Sequence, residues 1–223
     1  MAGAVYPPDA APDASEEESG RLLFAAPCLF VAGAADPSGI PPDTFPEIAF
    51  VGRSNVGKSS IVNALTGQNA LARVSRTPGR TRQINFFALG ERMTLADLPG
   101  YGYAAAPKHE IIRWTGLIES YLRGRASLRR VMVLIDSRFG IKDTDRPLMT
   151  LLDKAAVSFQ VVMTKADAVK AAELDKLLPI VAKTLATHPA AHPTIHITSS
   201  HEKTGIAALR GALVALADPK PTR

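Results

Sequence analysis

The chain has 223 residues, 46% apolar, 21% charged and 6% aromatic, which suits one globular domain and leaves little room for two. A chain of this length buries a sizeable core unaided, and its single Cys28 excludes an internal disulfide or a multi-cysteine metal site, so a reducing cytoplasm is the expected compartment. Net charge is +5, but residues 1–20 carry five acids and no base, leaving +10 on the remainder, a sign that attracts polyanions without distinguishing RNA from DNA or an acidic membrane.

In chain order, residues 1–28 are expected to be a disordered acidic tail, because Asp9, Asp13, Glu16, Glu17 and Glu18 among prolines offer too little apolar surface to order themselves. The apolar run 22–35 imitates a signal-peptide core, but acids precede it and Pro27 interrupts it. It is also shorter than the roughly 20 residues that span a bilayer. Residues 29–34 read as a short buried strand or packing segment that opens the domain.

Short Val/Ile/Phe-rich runs then fall at 48–51, 84–89, 93–96, 131–135, 159–163 and 194–197. Amphipathic or Ala/Leu-rich stretches lie near 58–66, 108–123, 144–155, 168–186 and 204–216. This alternation predicts an α/β fold, a mostly parallel six-stranded sheet with one antiparallel edge strand and helices on both faces. The turn Leu89-Gly90-Glu91-Arg92 leaves no room for a crossover helix, which makes its two strands the antiparallel pair. The domain is expected over 29–217, with 218–223 a flexible end. In such sheets the loops at the strand carboxyl ends carry the chemistry.

After the first of these strands comes Gly52-Arg53-Ser54-Asn55-Val56-Gly57-Lys58-Ser59, then a helical stretch. This is G-x-x-x-x-G-K-S in its strand–loop–helix setting. Its glycines let consecutive N–H groups point at phosphate oxygens, Lys58 reaches the β- and γ-phosphates, and the Ser59 hydroxyl can ligate Mg²⁺. Further on, the acid-free segment containing Thr77, Gly79, Arg80, Thr81, Arg82 and Gln83 suits a stretch that orders around Mg²⁺ and a γ-phosphate. Thr81 is its candidate ligand and Thr77 the alternative. Asp97-Leu98-Pro99-Gly100 follows at a strand end, where a carboxylate can hold Mg²⁺ through water and the Gly100 N–H can sense the γ-phosphate.

Thr164-Lys165-Ala166-Asp167 ends the next-to-last strand. Asp167 can accept from guanine N1–H and N2–H₂ together, and adenine would leave that carboxylate unpaired, so guanine is the predicted base. Lys165 would lay its stem along the base plane, and Thr198, Ser199 and Ser200 can offer backbone N–H groups to guanine O6. An ordinary helix N-cap is the plainer reading of Asp167 taken alone.

Together GRSNVGKSS, PGRTRQINFF, DLPGYGYA, TKAD, TSS and DSRFGIKDTD resemble the EngB (YihA/YsxC) family of bacterial GTPases over roughly residues 29–216. The resemblance implies the P-loop GTPase fold, bound GTP or GDP, and Mg²⁺ on Ser59 and Thr81. It also implies a cytoplasmic factor in assembly of the large ribosomal subunit, needed for normal cell division and septation. Its partners would be that subunit and its rRNA, neither DNA nor a membrane, and the chain is expected to be a monomer. TKAD departs from the commoner N-K-x-D, with a Thr hydroxyl left to supply the polar contact.

Catalysis is assigned to Lys58, Thr81, Gly100 and Asn55. Where Ras-like enzymes place a water-orienting glutamine, the chain has Tyr101, so intrinsic hydrolysis is expected on the order of 10⁻⁴ s⁻¹ or below. Related GTPases use the residue matching Asn55 to hold K⁺, with a loop Asn satisfying its own turn as the plainer reading. Asp136, Arg138 and Asp145 match the family's D-x-R pattern, as an internal ion pair or as a partner contact. Arg73, Arg76, Arg80 and Arg82 would let GTP order a polyanion-binding surface. The competing function is a nucleotide-gated protein switch in cell division that does not touch RNA.

Overall fold

The computed structural model describes residues 4–68, 71, 83–101 and 108–217, with residues 108–112 and 114 described by their backbone alone. Its strands are β1 (Val5–Tyr6), β2 (Cys28–Ala34), β3 (Glu47–Gly52), β4 (Ile84–Leu89), β5 (Met93–Asp97), β6 (Leu128–Asp136), β7 (Phe159–Thr164) and β8 (Ile195–Ile197). The helices are α1 (Ala14–Phe24), α2 (Lys58–Thr66), α3 (Lys108–Gly124), α4 (Arg146–Lys154), α5 (Ala171–Leu185) and α6 (Ile206–Val214).

One sheet runs in the order β1-β8-β7-β6-β3-β5-β4-β2. Strands β8, β7, β6, β3 and β5 are mutually parallel, whereas β4 is antiparallel to β5, β2 to β4, and β1 to β8. The expected six-stranded sheet therefore gains a strand at each edge, and its antiparallel part extends beyond one strand. Alternation divides the core: Ile48 and Phe50 of β3 face α1, α2 and α6, while Ala49 and Val51 face α3, α4 and α5.

The expected tail over 1–28 is corrected, since residues 4–28 carry β1, α1 and the start of β2. Charge that reads as a solvated run instead starts a helix. Asp13 accepts from the Glu16 N–H and Glu16 from the Asp13 N–H, a reciprocal cap, and the acids sit where the helix dipole favours them. The apolar run splits at its proline: Leu23 and Phe24 are buried at the end of α1, and Cys28 opens β2. That strand is also less buried than expected, with Leu29, Phe30 and Val31 each more than half exposed along an outer edge.

Helix α1 crosses α6 at two glycines. A Cβ on Gly20 would come within 2.4 Å of the Arg210 carbonyl carbon and 2.6 Å of the Gly211 nitrogen. Gly20→Ala is therefore expected to destabilise the fold by about 1–3 kcal/mol through overpacking, despite alanine's better helix propensity. Gly116→Ala, on an exposed face of α3 with no neighbour in reach, should instead add up to about 1 kcal/mol. Urea midpoints that shift in the same direction for both would refute the crossing as the cause.

Candidate functional site

Strand β3 delivers its last residue, Gly52, into a gap that admits no side chain: a Cβ there would lie 2.7 Å from Val56 and 3.0 Å from Leu134. The loop then turns through Asn55 (φ 64°) and Gly57 (φ 102°), left-handed conformations that bring the first turn of α2 round beneath it. Lys58 and Ser59 open α2, Ile61 N–H closes onto Gly57 C=O, and Val56 is buried in the core. The loop is thus curled at a helix N-terminus, the arrangement that binds phosphate.

Strand β5 ends beside it. Asp97 is nearly buried and forms a direct ion pair with the Lys58 ammonium, which is itself only 11% exposed. Leu98 is core, its N–H bonded to Phe50 C=O, and Pro99 is buried, so these two residues shape the turn. Gly100 lies against the loop, where a Cβ would sit 3.3 Å from Ser54 N. Tyr101 then stitches the two segments: its N–H donates to Gly52 C=O at 3.2 Å and its C=O accepts from Ser54 N–H at 3.1 Å.

The base-side loops join the same centre. Thr164 donates its hydroxyl to Val56 C=O at 2.7 Å, so threonine ties this loop to the phosphate loop. Lys165, in a left-handed conformation, reaches Asn55 C=O at 2.6 Å. Ala166 N–H donates to Thr198 C=O, and the Ser199 hydroxyl donates to the Asp167 carboxylate. Thr198 bonds back to Met163 C=O, while Ser199 also accepts from Glu202 N–H. Ser200 follows in that turn. Asp167 belongs to a short 3-10 turn, and α5 is preceded instead by Lys170.

Of the sequence-predicted residues, Gly79, Arg80, Thr81 and Arg82 lie outside the described residues, as do Arg73, Arg76 and Thr77. Gln83 is described, but its side-chain amide donates to Asn85 beside Gly33, on the β2–β4 ladder. Arg53 holds a buried Nε with no hydrogen-bond partner among the described residues. For Mg²⁺, the Ser59 hydroxyl, next to Lys58 at the start of α2, and the Asp97 carboxylate paired with Lys58 are hard oxygen donors, a set that would fit the ion with phosphate oxygens completing its shell.

Of two further connections, the Asp136–Arg138 ion pair is one of the readings the sequence offers, whereas the contact of Tyr101 with Asp145 is not apparent from the motifs. Tyr101 is buried with its hydroxyl donated to Asp145 at 2.9 Å, and burial with the adjacent carboxylate pushes the phenol's pKa far up. Asp136 accepts from Arg138 through Nε and Nη2 at 2.9 and 2.7 Å and pairs with Lys165 at 3.0 Å. Despite partial burial, these partners lower its pKa to about 2. Both partners of the D-x-R pattern are therefore engaged within the chain.

Comparison with known proteins matches residues 47–165 to a family described as 50S ribosome-binding GTPase. A "Probable GTP-binding protein EngB" from Cereibacter sphaeroides is 53% identical over 216 residues, covering 97% of this chain and all of that one. Its namesake from Rhodospirillum rubrum is 55% identical over 207 residues, 91% of this chain and 90% of that one. Among solved structures, a probable GTP-binding protein EngB superposes with a TM-score of 0.60 at 22% identity, covering 76% of this chain and 97% of that one. An Aquifex aeolicus Era variant bound to GDP and tetrafluoroaluminate gives 0.61 at 19%, covering 78% and 57%. At those identities the structures show a shared fold.

Proposed function

The chain belongs to the EngB family of GTP-binding proteins, and from that premise we propose that it hydrolyses GTP slowly and acts as a GTP-gated factor in assembly of the large ribosomal subunit, on which normal cell division and septation depend. The proposed setting is the cytoplasm, with the chain a monomer and rRNA its main contact. Among the described residues no helix is long and apolar enough to cross a membrane.

The observation that carries the slow rate is the inward-facing Tyr101. A phenol whose pKa is raised keeps its proton, and that proton is committed to Asp145. It neither orients nor deprotonates an attacking water, the task of the glutamine in faster relatives of this chemistry. Lys58 leaves Asp97 for the β- and γ-phosphates, and Gly100 presents its N–H to the γ-phosphate from beside Ser54. Ser59 and Thr81 would hold Mg²⁺, which when bound would neutralise charge at the phosphate oxygens.

Purified protein is expected to turn over at about 10⁻⁴ s⁻¹ or slower; a rate near 1 s⁻¹ would remove this reading of Tyr101. Asn55 is proposed to hold K⁺ beside the phosphates. Turnover is then expected to be faster in KCl than in NaCl, with Asn55→Ala removing the difference, and equal rates in all four conditions reject that role. The assembly role is tested by co-sedimentation with large ribosomal subunits in GDP and in a non-hydrolysable GTP analogue. Binding that needs the GTP form and weakens with salt is expected; absence of binding in both states refutes it.

A further inference from the structure

Segment 137–145, which follows β6, connects the nucleotide loops to the surface. Its exposed apolar residue is Phe139, 53% accessible. The Lys142 ammonium stands 3.9 Å from the centre of that ring, and the Arg138 guanidinium carbon 5.1 Å from it. Lys142 makes no ion pair with the described residues. Beside the ring lies a cavity of about 340 Å³, walled by Ser137, Arg138, Phe139, Val169, Glu173 and Leu177. The Ser137 hydroxyl is buried and has no hydrogen-bond partner among the described residues.

Each flanking residue is tied to a carboxylate that also contacts the nucleotide site, Arg138 through its guanidinium and Lys142 through its backbone N–H. Asp145 accepts from the Tyr101 hydroxyl on one oxygen and from Lys142 N–H, at 2.7 Å, on the other. Asp136 grips Lys165 and Arg138 together. Tyr101 follows the γ-phosphate-sensing Gly100, and Lys165 belongs to the base-side loop. Two short relays therefore converge on one exposed aromatic ring.

We propose that segment 137–145 is a nucleotide-coupled docking loop in which Phe139, flanked by Arg138 and Lys142, stacks an unpaired base of single-stranded RNA. Every base has a π-face that stacks on an aromatic ring, while adjacent cations neutralise the flanking phosphates. At about 340 Å³ the cavity has room for a base edge, with Glu173 on its wall to accept from an exocyclic amine. An apolar peptide would use the ring and Leu177 but would leave the Lys142 ammonium and the Ser137 hydroxyl unanswered. The inference rests on the assembly reading above, because that reading supplies an RNA-rich partner.

The test uses the full chain with purified large ribosomal subunits and a GTP analogue. Phe139→Ala is expected to weaken co-sedimentation about tenfold or more, and Phe139→Trp to stay within about threefold of the wild type. Affinity for a fluorescent GDP and the melting temperature check that both variants are folded. Ultraviolet cross-linking of the wild-type complex is expected to attach RNA to the peptide containing Phe139. Tyr101→Phe is expected to narrow the difference between GDP and GTP-analogue binding. Wild-type binding that Phe139→Ala leaves intact overturns the docking loop and spares the assembly reading. Cross-links from that peptide to ribosomal protein alone overturn the RNA assignment, and failure of the wild type to bind removes both.

Discussion

Arg125→Met is expected to cost the fold about 3–5 kcal/mol, the penalty for leaving a buried carboxylate unpaired. Glu47, the first residue of β3, has no solvent exposure. Arg125 meets it with Nε on one oxygen at 2.9 Å and Nη2 on the other at 2.7 Å, and the Tyr121 hydroxyl adds a third hydrogen bond at 2.6 Å. The guanidinium also reaches Asp43 and the Pro41 carbonyl and lies 5.4 Å from the Phe86 ring centre. This cluster fixes the end of α3 to the base of the strand whose other end is the phosphate loop. Urea unfolding should show the loss, and Glu47→Leu combined with Arg125→Met should recover part of it, because removing both charges leaves no buried carboxylate unpaired, although the Tyr121 hydroxyl loses its acceptor. A single variant within 1 kcal/mol of the wild type would show that Glu47 finds another partner.

Asp167→Asn is expected to weaken guanine nucleotides by about 30- to 1,000-fold, from the loss of roughly 2–4 kcal/mol of hydrogen bonding to a charged group. The Ser199 hydroxyl orients the carboxylate, and Ser199 is itself held by Thr204 C=O through its N–H and by Glu202 N–H through its hydroxyl. The amide offers one acceptor and one donor, a pattern that suits a base with a carbonyl at C2 in place of guanine's amine. Xanthine nucleotides should therefore gain relative affinity in the variant. Titration with fluorescent GDP and its xanthine counterpart reads both changes, and unchanged GDP affinity would remove Asp167 from base recognition.

The phosphate loop, the Asp97 turn and the base-side loops are legible in the sequence because each is a contiguous motif at a strand end, where local geometry and chemistry coincide. The N-terminal segment is misread for the opposite reason. Its order comes from Gly20 meeting Gly211 and from Val5 pairing with His196, partners nearly the whole chain away. Composition reports only that the segment is acidic, although Asp13 and Glu16 carry the spacing of a cap. Exposure on β2 is hidden similarly, since Leu29, Phe30 and Val31 look like core until the strand is found at the sheet's edge. Tyr101 and Asp145 are each visible within quoted motifs, but nothing in either motif says that the two side chains meet.

The pairing of first and last elements also governs how the chain reaches this state. β1 is completed by β8, and α1 is seated on α6, whose Arg210 donates to the carbonyls of Ala64 and Leu65 at the end of α2. During synthesis from the amino end, α1 emerges when none of its docking surface exists. It must wait as a marginal isolated helix until α6 has been made. Closure of a loop that spans most of the described residues, with its entropic cost, therefore comes late, and the helix behind the phosphate loop receives its Arg210 cap at that step.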